Sequence, residues 1–156
     1  MKTIKETINL YEFKELSENA KDKAREDFHI DGCLGDFMLE ERLYTLKKLA
    51  EEIGGKLDYS ISLTPDRGEY IQIKDYDKNV LRELCKKKDD CPLTGCCYDI
   101  DVLELAIKHC YKLDDALHYY LNQIHEEYEY YLTDEYLTEN CEANEYCFTE
   151  NGKFYS

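Results

Sequence analysis

Apolar residues recur every three to four positions along much of the chain, the spacing that places them on one face of an α-helix. The first such segment begins at Ser17, a helix-capping residue type, and stops near Asp31-Gly32. The second begins at Asp36, another capping type, and stops at Gly54-Gly55. The apolar stripes of these two predicted helices are Leu16, Ala20, Ala24 and Phe28, and then Leu39, Leu43, Leu46, Leu49, Ala50 and Ile53.

Three later segments also carry helical spacing. A short helix is predicted to begin at Asp77 and to reach Cys85, and another is predicted to be capped by Asp99 and to reach Cys110. A longer helix is predicted from Asp114, with charged residues towards solvent. Its inward-facing residues are expected to be Leu117, Leu121, Ile124 and Tyr128.

Strict alternation of apolar and polar residues, typical of a half-buried strand, marks three places. The clearest is a central hairpin over residues 57–73, with a turn at Pro65-Asp66-Arg67-Gly68. An opening strand is predicted over Thr3 to Leu10, and a terminal hairpin around Asn151-Gly152. The alternating residues are Leu57, Tyr59, Ile61, Leu63, Ile71 and Ile73 in the central hairpin, and Tyr146, Phe148 and Phe154 in the terminal one.

These elements predict an α+β fold. We expect one small antiparallel sheet, formed by the N-terminal strand, the central hairpin and the C-terminal hairpin, packed with about five helices. At 156 residues the chain fits a single domain, residues 1–156, that can bury a real core. The charged N-terminus resembles neither a signal peptide nor a membrane anchor, so we expect a cytoplasmic protein with reduced thiols and no membrane contact.

Motifs that would indicate catalysis are missing from the sequence. No glycine-rich loop matches a phosphate-binding pattern, and no G-x-S-x-G segment could form a nucleophile elbow. Four cysteines, Cys85, Cys91, Cys96 and Cys97, lie close enough in sequence to be a weak alternative zinc site, but they lack the paired C-x2-C spacing. We therefore predict no catalytic residues, no metal and no cofactor, with the cysteines as buried, inert thiols.

Two other groupings of side chains could carry catalysis or bind metal, but a structural role explains each of them better. A cysteine could be paired with one of four histidines as a nucleophile, but no local motif indicates such a pair. Glu26 and His29 form a single E-x-x-H, whereas a di-metal carboxylate bundle needs two such pairs and further glutamates. The histidines considered are His29, His109, His118 and His125.

Charge changes the picture most in residues 113–152, which we call the acidic tract. This stretch contains 11 carboxylates and seven of the 15 tyrosines, and no lysine or arginine. A merely solvated helix usually mixes charge signs, because i,i+4 ion pairs stabilise it. A surface of one sign repels nucleic acid and anionic membrane and attracts a basic partner.

Two interpretations of the acidic tract remain open: a face that only keeps the protein soluble, or a binding surface that imitates the charge density of nucleic acid. We expect a binding surface, with tyrosines as low-entropy anchors and Tyr128 partly in the core. The predicted partner-binding residues are Glu126, Glu127, Glu129, Tyr130, Asp134, Glu135, Tyr136, Glu139, Glu142 and Glu145.

Four segments, residues 11–28, 57–73, 91–99 and 141–155, resemble a group of small phage and prophage proteins of bacteria. The shared motifs are typical of caps, turns and core packing. A phage origin implies an accessory protein, and acidic accessory proteins of phages are often inhibitors of host defence, including anti-CRISPR and anti-restriction proteins. By this analogy we expect a non-enzymatic inhibitor that binds the basic nucleic-acid-binding groove of a host defence protein, such as a CRISPR effector.

Two alternatives come from other functional classes. One is a cysteine- or metal-dependent enzyme acting on nucleotides. The other is a phage regulatory or scaffold protein that binds another phage protein.

Overall fold

The computed structural model describes residues 7–31, 34–63 and 67–155, and its fold is α+β, as predicted. The six described α-helices are α1 (Glu18–Asp31), α2 (Leu34–Glu52), α3 (Lys78–Cys85), α4 (Cys97–Lys108), α5 (Leu113–Tyr131) and α6 (Asp134–Ala143). The described strands are β1 (Lys56–Ser60), β2 (Tyr70–Lys74), β3 (Cys147–Phe148) and β4 (Phe154–Tyr155).

The chain divides into two compact units. The terminal unit comprises Met1–Leu34 and Glu129–Ser156, and the central unit comprises Gly35–Tyr128. The prediction of a single domain stays a prediction.

The central unit contains the central hairpin, which has the predicted position. β1 and β2 are antiparallel, with Leu57 opposite Ile73 and Tyr59 opposite Ile71. Ile71 and Ile73 of β2 are buried, as the alternation indicated. On β1 the predicted buried face was wrong, because Leu57 is only half-buried and Tyr59 is 38% exposed. The helices of the unit, together with Ile53 just after α2, supply the other large buried side chains, among them Leu46, Leu49, Leu81, Leu103, Leu113, Leu117, Tyr120 and Ile124.

The terminal unit has its own apolar core, built from segments far apart in sequence. Tyr11 and Phe148 form a two-bond antiparallel bridge, with both N–H···O distances at 2.8 Å. The aromatic rings of Phe13 and Phe148 meet edge to face at 6.1 Å. The buried cluster consists of Phe13, Leu16, Ala20, Ala24, Leu137, Cys141 and Phe148.

Several predicted helix boundaries are confirmed. The Ser17 hydroxyl accepts a hydrogen bond from the Ala20 amide at 3.4 Å, and Asp77 accepts from the Asn79 amide at 2.8 Å. Gly54 has φ +69°, the left-handed conformation that commonly follows a helix end. α1 ends at Asp31, while Gly32 lies outside the described residues.

The predicted strand layout needs correction. Residues 7–10 have no regular structure and are exposed, so the prediction of a strand over Thr3 to Leu10 was wrong for these residues. Residues 3–6 lie outside the described residues. The described strands form two separate two-stranded sheets instead of one. Half of the predicted central turn, Pro65 and Asp66, also lies outside the described residues. The terminal hairpin is confirmed, with Cys147 opposite Tyr155.

Three helix predictions also differ from the structure. Asp36 lies in the first turn of α2 and does not cap it, because the helix begins at Leu34. Asp99 lies inside the first turn of α4, whose cap position is Cys96. The acidic tract contains a second helix, α6, which the sequence analysis did not separate from α5. None of the described helices combines the length and apolar character needed to cross a lipid bilayer.

Gly152 provides a test of the terminal unit. It has φ +81°, and a Cβ atom there would overlap the backbone carbonyl of Ala20. We expect Gly152→Ala to lower the free energy of unfolding by about 1 kcal/mol for the left-handed backbone and a further ~1–3 kcal/mol for the overlap. Gly54→Ala is the matched control, because φ is +69° and no atom lies within 4 Å of the added Cβ. Urea unfolding followed by circular dichroism measures both; equal losses would contradict the packing of Gly152 on α1.

Candidate partner-binding surface

The turn between α5 and α6 is held by one threonine. The Thr133 hydroxyl donates to the Tyr130 carbonyl at 2.7 Å and accepts from the Tyr136 amide at 3.2 Å. It therefore ends one helix and caps the next. Asp134 and Glu135 follow in the first turn of α6, where carboxylates interact favourably with the positive end of the helix dipole.

Three tyrosines of the terminal unit form a cluster at this turn. The Tyr136 ring lies 5.5 Å from the Tyr130 ring and 4.7 Å from the Tyr131 ring, measured between centroids. The Tyr130 hydroxyl donates to Glu139 Oε2 at 2.6 Å, and this hydrogen bond is the main reason why the pKa of Tyr130 is raised to about 12. Tyr130 is 37% exposed, so the cluster presents an aromatic side chain to solvent beside a carboxylate.

Several carboxylates of the acidic tract are exposed and have no cationic partner among the residues that the structure describes. Within the described part of the terminal unit, Glu129, Glu135 and Glu145 form no ion pair. Glu126 is likewise exposed in the central unit, and no cation among the described residues pairs with it. These are the side chains best placed to meet a positively charged partner.

Other carboxylates of the tract are paired with cations from the N-terminal segment. The Arg25 guanidinium binds Asp134 with two hydrogen bonds of 2.7 Å, and the Lys14 ammonium binds Glu142 at 3.1 Å. The tract lacks cations of its own, but the fold brings these two to it. Because both pairs are largely exposed, solvent screens them and each contributes little to stability.

Glu127 has a structural role in the central unit. Its carboxylate accepts hydrogen bonds from Nε and Nη2 of Arg42, at 2.8 and 2.6 Å, and from the Tyr98 hydroxyl at 2.7 Å. The side chain of Arg42 is 6% exposed and that of Glu127 is 21% exposed. Glu127 is therefore the counter-ion of a buried guanidinium, which limits its availability to a partner.

The buried guanidinium is also held by aromatic rings. It lies 4.2 Å from the centroid of the Tyr98 ring and 5.1 Å from that of Tyr120. Burial lowers the pKa of Arg42, but Tyr120 and Glu127 outweigh burial, so the pKa lies above its ordinary value. Sequence reasoning missed this residue, although an arginine at an inward position of the apolar α2 face, one turn after Met38, was a readable signal.

The weak alternative zinc site finds no support in the geometry. Cys85 is buried, and burial raises the pKa of its thiol to about 11. Cys91 and Cys96 are half-buried and Cys97 is exposed, so the prediction of buried thiols was wrong for these three. The pKa of Cys91 and of Cys97 is also raised, mainly by desolvation. The Sγ atoms of Cys96 and Cys97 lie 3.9 Å apart. Across the described residues, no group of three or more histidine, cysteine or acidic side chains is arranged to hold a metal ion.

The CPLTGCCYD segment instead has a clear structural role. The Asp99 carboxylate is fully buried and accepts hydrogen bonds from the backbone amides of Leu93, Thr94 and Gly95, at 2.8, 2.7 and 3.1 Å. The Thr94 hydroxyl adds another at 2.7 Å. These four bonds fix the loop before α4, which agrees with the sequence interpretation of this segment as a turn motif.

The described histidines make contacts of a structural kind. His125 Nε2 lies 2.7 Å from Glu69 Oε2, and both side chains are largely buried. The His109 ring stacks on the Tyr119 ring at 4.6 Å, while His118 meets Tyr119 edge to face. The side chain of His29 is not among the described ones, so the prediction for the Glu26–His29 pair stays untested.

A conservative substitution tests the role of Glu127. Glu127→Gln removes the closer of two carboxylates that pair with buried Arg42, the other being Asp101 at 3.6 Å. We expect it to lower the free energy of unfolding by about 3 kcal/mol, the low end for breaking a buried ion pair, because Glu127 is partly exposed and Asp101 remains. Glu126→Gln, the neighbouring exposed residue, should change it by less than ~0.5 kcal/mol. Urea titration compares the two variants; equal effects would show that Glu127 is not the required counter-ion.

Thiol labelling tests whether the buried cysteines are inert. At pH 8, thiols with a pKa near 11 are almost fully protonated, so Cys85 and Cys141 should react with iodoacetamide more than about a hundredfold more slowly than exposed Cys110. In urea all three should react at similar rates. Mass spectrometry of the labelled peptides measures the rates; fast labelling of Cys85 in the folded protein would favour a reactive thiol.

The comparisons with known proteins give no relative: no protein-family model, no curated protein and no solved structure matches this chain.

Proposed function

We propose that this protein is a phage-encoded, non-enzymatic inhibitor of a bacterial defence nuclease, of the anti-CRISPR kind. Its acidic surface would occupy a basic nucleic-acid-binding groove by charge mimicry in the host cytoplasm. The observation that carries the proposal is the set of exposed carboxylates in the terminal unit, Glu129, Glu135 and Glu145, which form no ion pair with any described residue although the fold brings cations to neighbouring acids. The phage origin rests on the sequence resemblance.

Electrostatic repulsion between the carboxylates of the acidic tract favours binding to a basic partner. Crowded carboxylates without counter-ions lower the stability of a folded surface, and a cationic groove relieves that repulsion on binding. Long-range attraction also speeds association with a basic protein, and this effect weakens as salt screens the charges. The partner is therefore expected to be a protein that normally binds nucleic acid.

The tyrosine cluster supplies the uncharged part of the proposed contact. Tyr130 is exposed and is held by Glu139 and by the Tyr136 ring, so little side-chain freedom is lost on binding. Aromatic side chains of this kind are common anchors of protein interfaces. Asp134, already paired with Arg25, is expected at the edge of the contact.

Neutralising the unpaired acids tests the proposal. The triple variant Glu129→Gln, Glu135→Gln and Glu145→Gln should weaken binding to the inhibited nuclease at least about tenfold at low salt, mainly through a slower association rate. The difference from the unsubstituted protein should shrink at high salt, because screening already removes the attraction. Surface plasmon resonance at several salt concentrations measures both rates, with the nuclease obtained by pull-down from host lysate.

A matched variant separates local from overall charge. Glu40→Gln, Glu52→Gln and Glu83→Gln remove the same charge from exposed positions of the central unit. This control should retain inhibition and association rate within about twofold. An equal loss of inhibition in both variants would show that only the net charge of the protein matters. Unchanged inhibition by the first variant, with its fold intact, would contradict charge mimicry.

A further inference from the structure

A cavity of about 300 Å³ opens in the terminal unit between the N-terminal 3₁₀ turn (Phe13–Glu15) and the end of α6. This volume is at the lower end for sites that bind small molecules or single side chains. Residues from three segments line it: Glu12, Phe13, Lys14, Thr138, Cys141, Glu142, Glu145, Tyr146 and Cys147.

The lining of the cavity is divided by chemistry. Phe13, Cys141 and Tyr146 form its apolar and aromatic wall, in which Phe13 and Cys141 are buried and half-buried Tyr146 presents the most accessible surface. Glu12, Glu142 and Glu145, in contrast, are exposed carboxylates. Lys14 is the single cation among the lining residues, which leaves the lining with a net negative charge.

The acidic part of the lining already binds one cation from its own chain. The Lys14 ammonium lies 2.7 Å from Glu12 Oε2 and 3.1 Å from Glu142 Oε1. Hydrogen bonds to Glu12 and Glu142 raise the pKa of Lys14 well above its ordinary value. Glu145 has no such partner among the described residues, so the site can accept a further positive charge.

We propose that this cavity receives an arginine side chain of the partner, with its aliphatic stem on Phe13 and Tyr146 and its guanidinium among Glu142, Glu145 and Glu12. Arginine fits better than lysine because its planar guanidinium binds carboxylates with several donors and also stacks on aromatic rings. This inference rests on the proposed function, since it assigns a basic partner an anchor residue.

Lys14 acts in this proposal as an internal competitor. Its ammonium occupies two of the three carboxylates that the guanidinium would use. Removing that ammonium frees both acids, so the variant should bind an arginine side chain more tightly than the unsubstituted protein does. A role of Lys14 in stability alone would produce no such gain.

The test is an NMR titration with Nα-acetylarginine amide, and with the neutral analogue Nα-acetylcitrulline amide as the matched probe. Only the arginine probe should shift the amide signals of Cys141, Glu142, Tyr146 and Cys147. Lys14→Gln should bind it about fivefold more tightly, the effect of one exposed ion pair. Lys153→Gln removes the same charge from an exposed residue outside the lining and should leave the affinity unchanged.

Two results would overturn the arginine site: equal shifts with both probes, or no gain in affinity for Lys14→Gln over Lys153→Gln. These results concern the isolated protein and need no nuclease. Loss of the arginine site with continued salt-sensitive inhibition would leave the proposed function in place. An intact arginine site in a protein that inhibits no nuclease would instead contradict the proposed function.

Discussion

A stretch of 40 residues with 11 carboxylates and no cation must obtain its counter-charges from other parts of the chain, and both units are built around this constraint. In the central unit, buried Arg42 from α2 binds Glu127 on α5. In the terminal unit, Arg25 binds Asp134 on α6. Long-range ion pairs thus link the acidic tract to earlier helices, through residues that are 85 and 109 positions apart in sequence.

The counter-charges are distributed unevenly, and this unevenness supports the functional proposal. Glu127 forms an ion pair with Arg42 at a buried position, where an unpaired charge would strongly destabilise the fold. Glu129, Glu135 and Glu145 are left without ion pairs among the described residues, at exposed positions where water solvates them. An acidic face required only for solubility would need neither the ordered tyrosine cluster at the α5–α6 turn nor a cavity lined by acids and aromatic rings.

Local sequence signals predicted the features of the fold that depend on residues close together in sequence. The caps at Ser17 and Asp77 and the central hairpin follow from residue type and periodicity. The sequence did not predict helix α6, because tyrosine occurs in both helix and strand patterns. It did not predict the role of Asp99 either, because a carboxylate can cap a helix or bind the loop that precedes it. The acidic surface was visible in composition, but its division into paired and unpaired acids depends on long-range contacts that no sequence window contains.

The most direct test of the central claim is a competition measurement. The association of this protein with the inhibited nuclease is measured with the nucleic-acid groove empty and with the groove saturated by its nucleic acid. Charge mimicry predicts mutually exclusive binding, so that saturating nucleic acid abolishes association and excess protein displaces the nucleic acid. A ternary complex that forms with undiminished affinity would contradict the account.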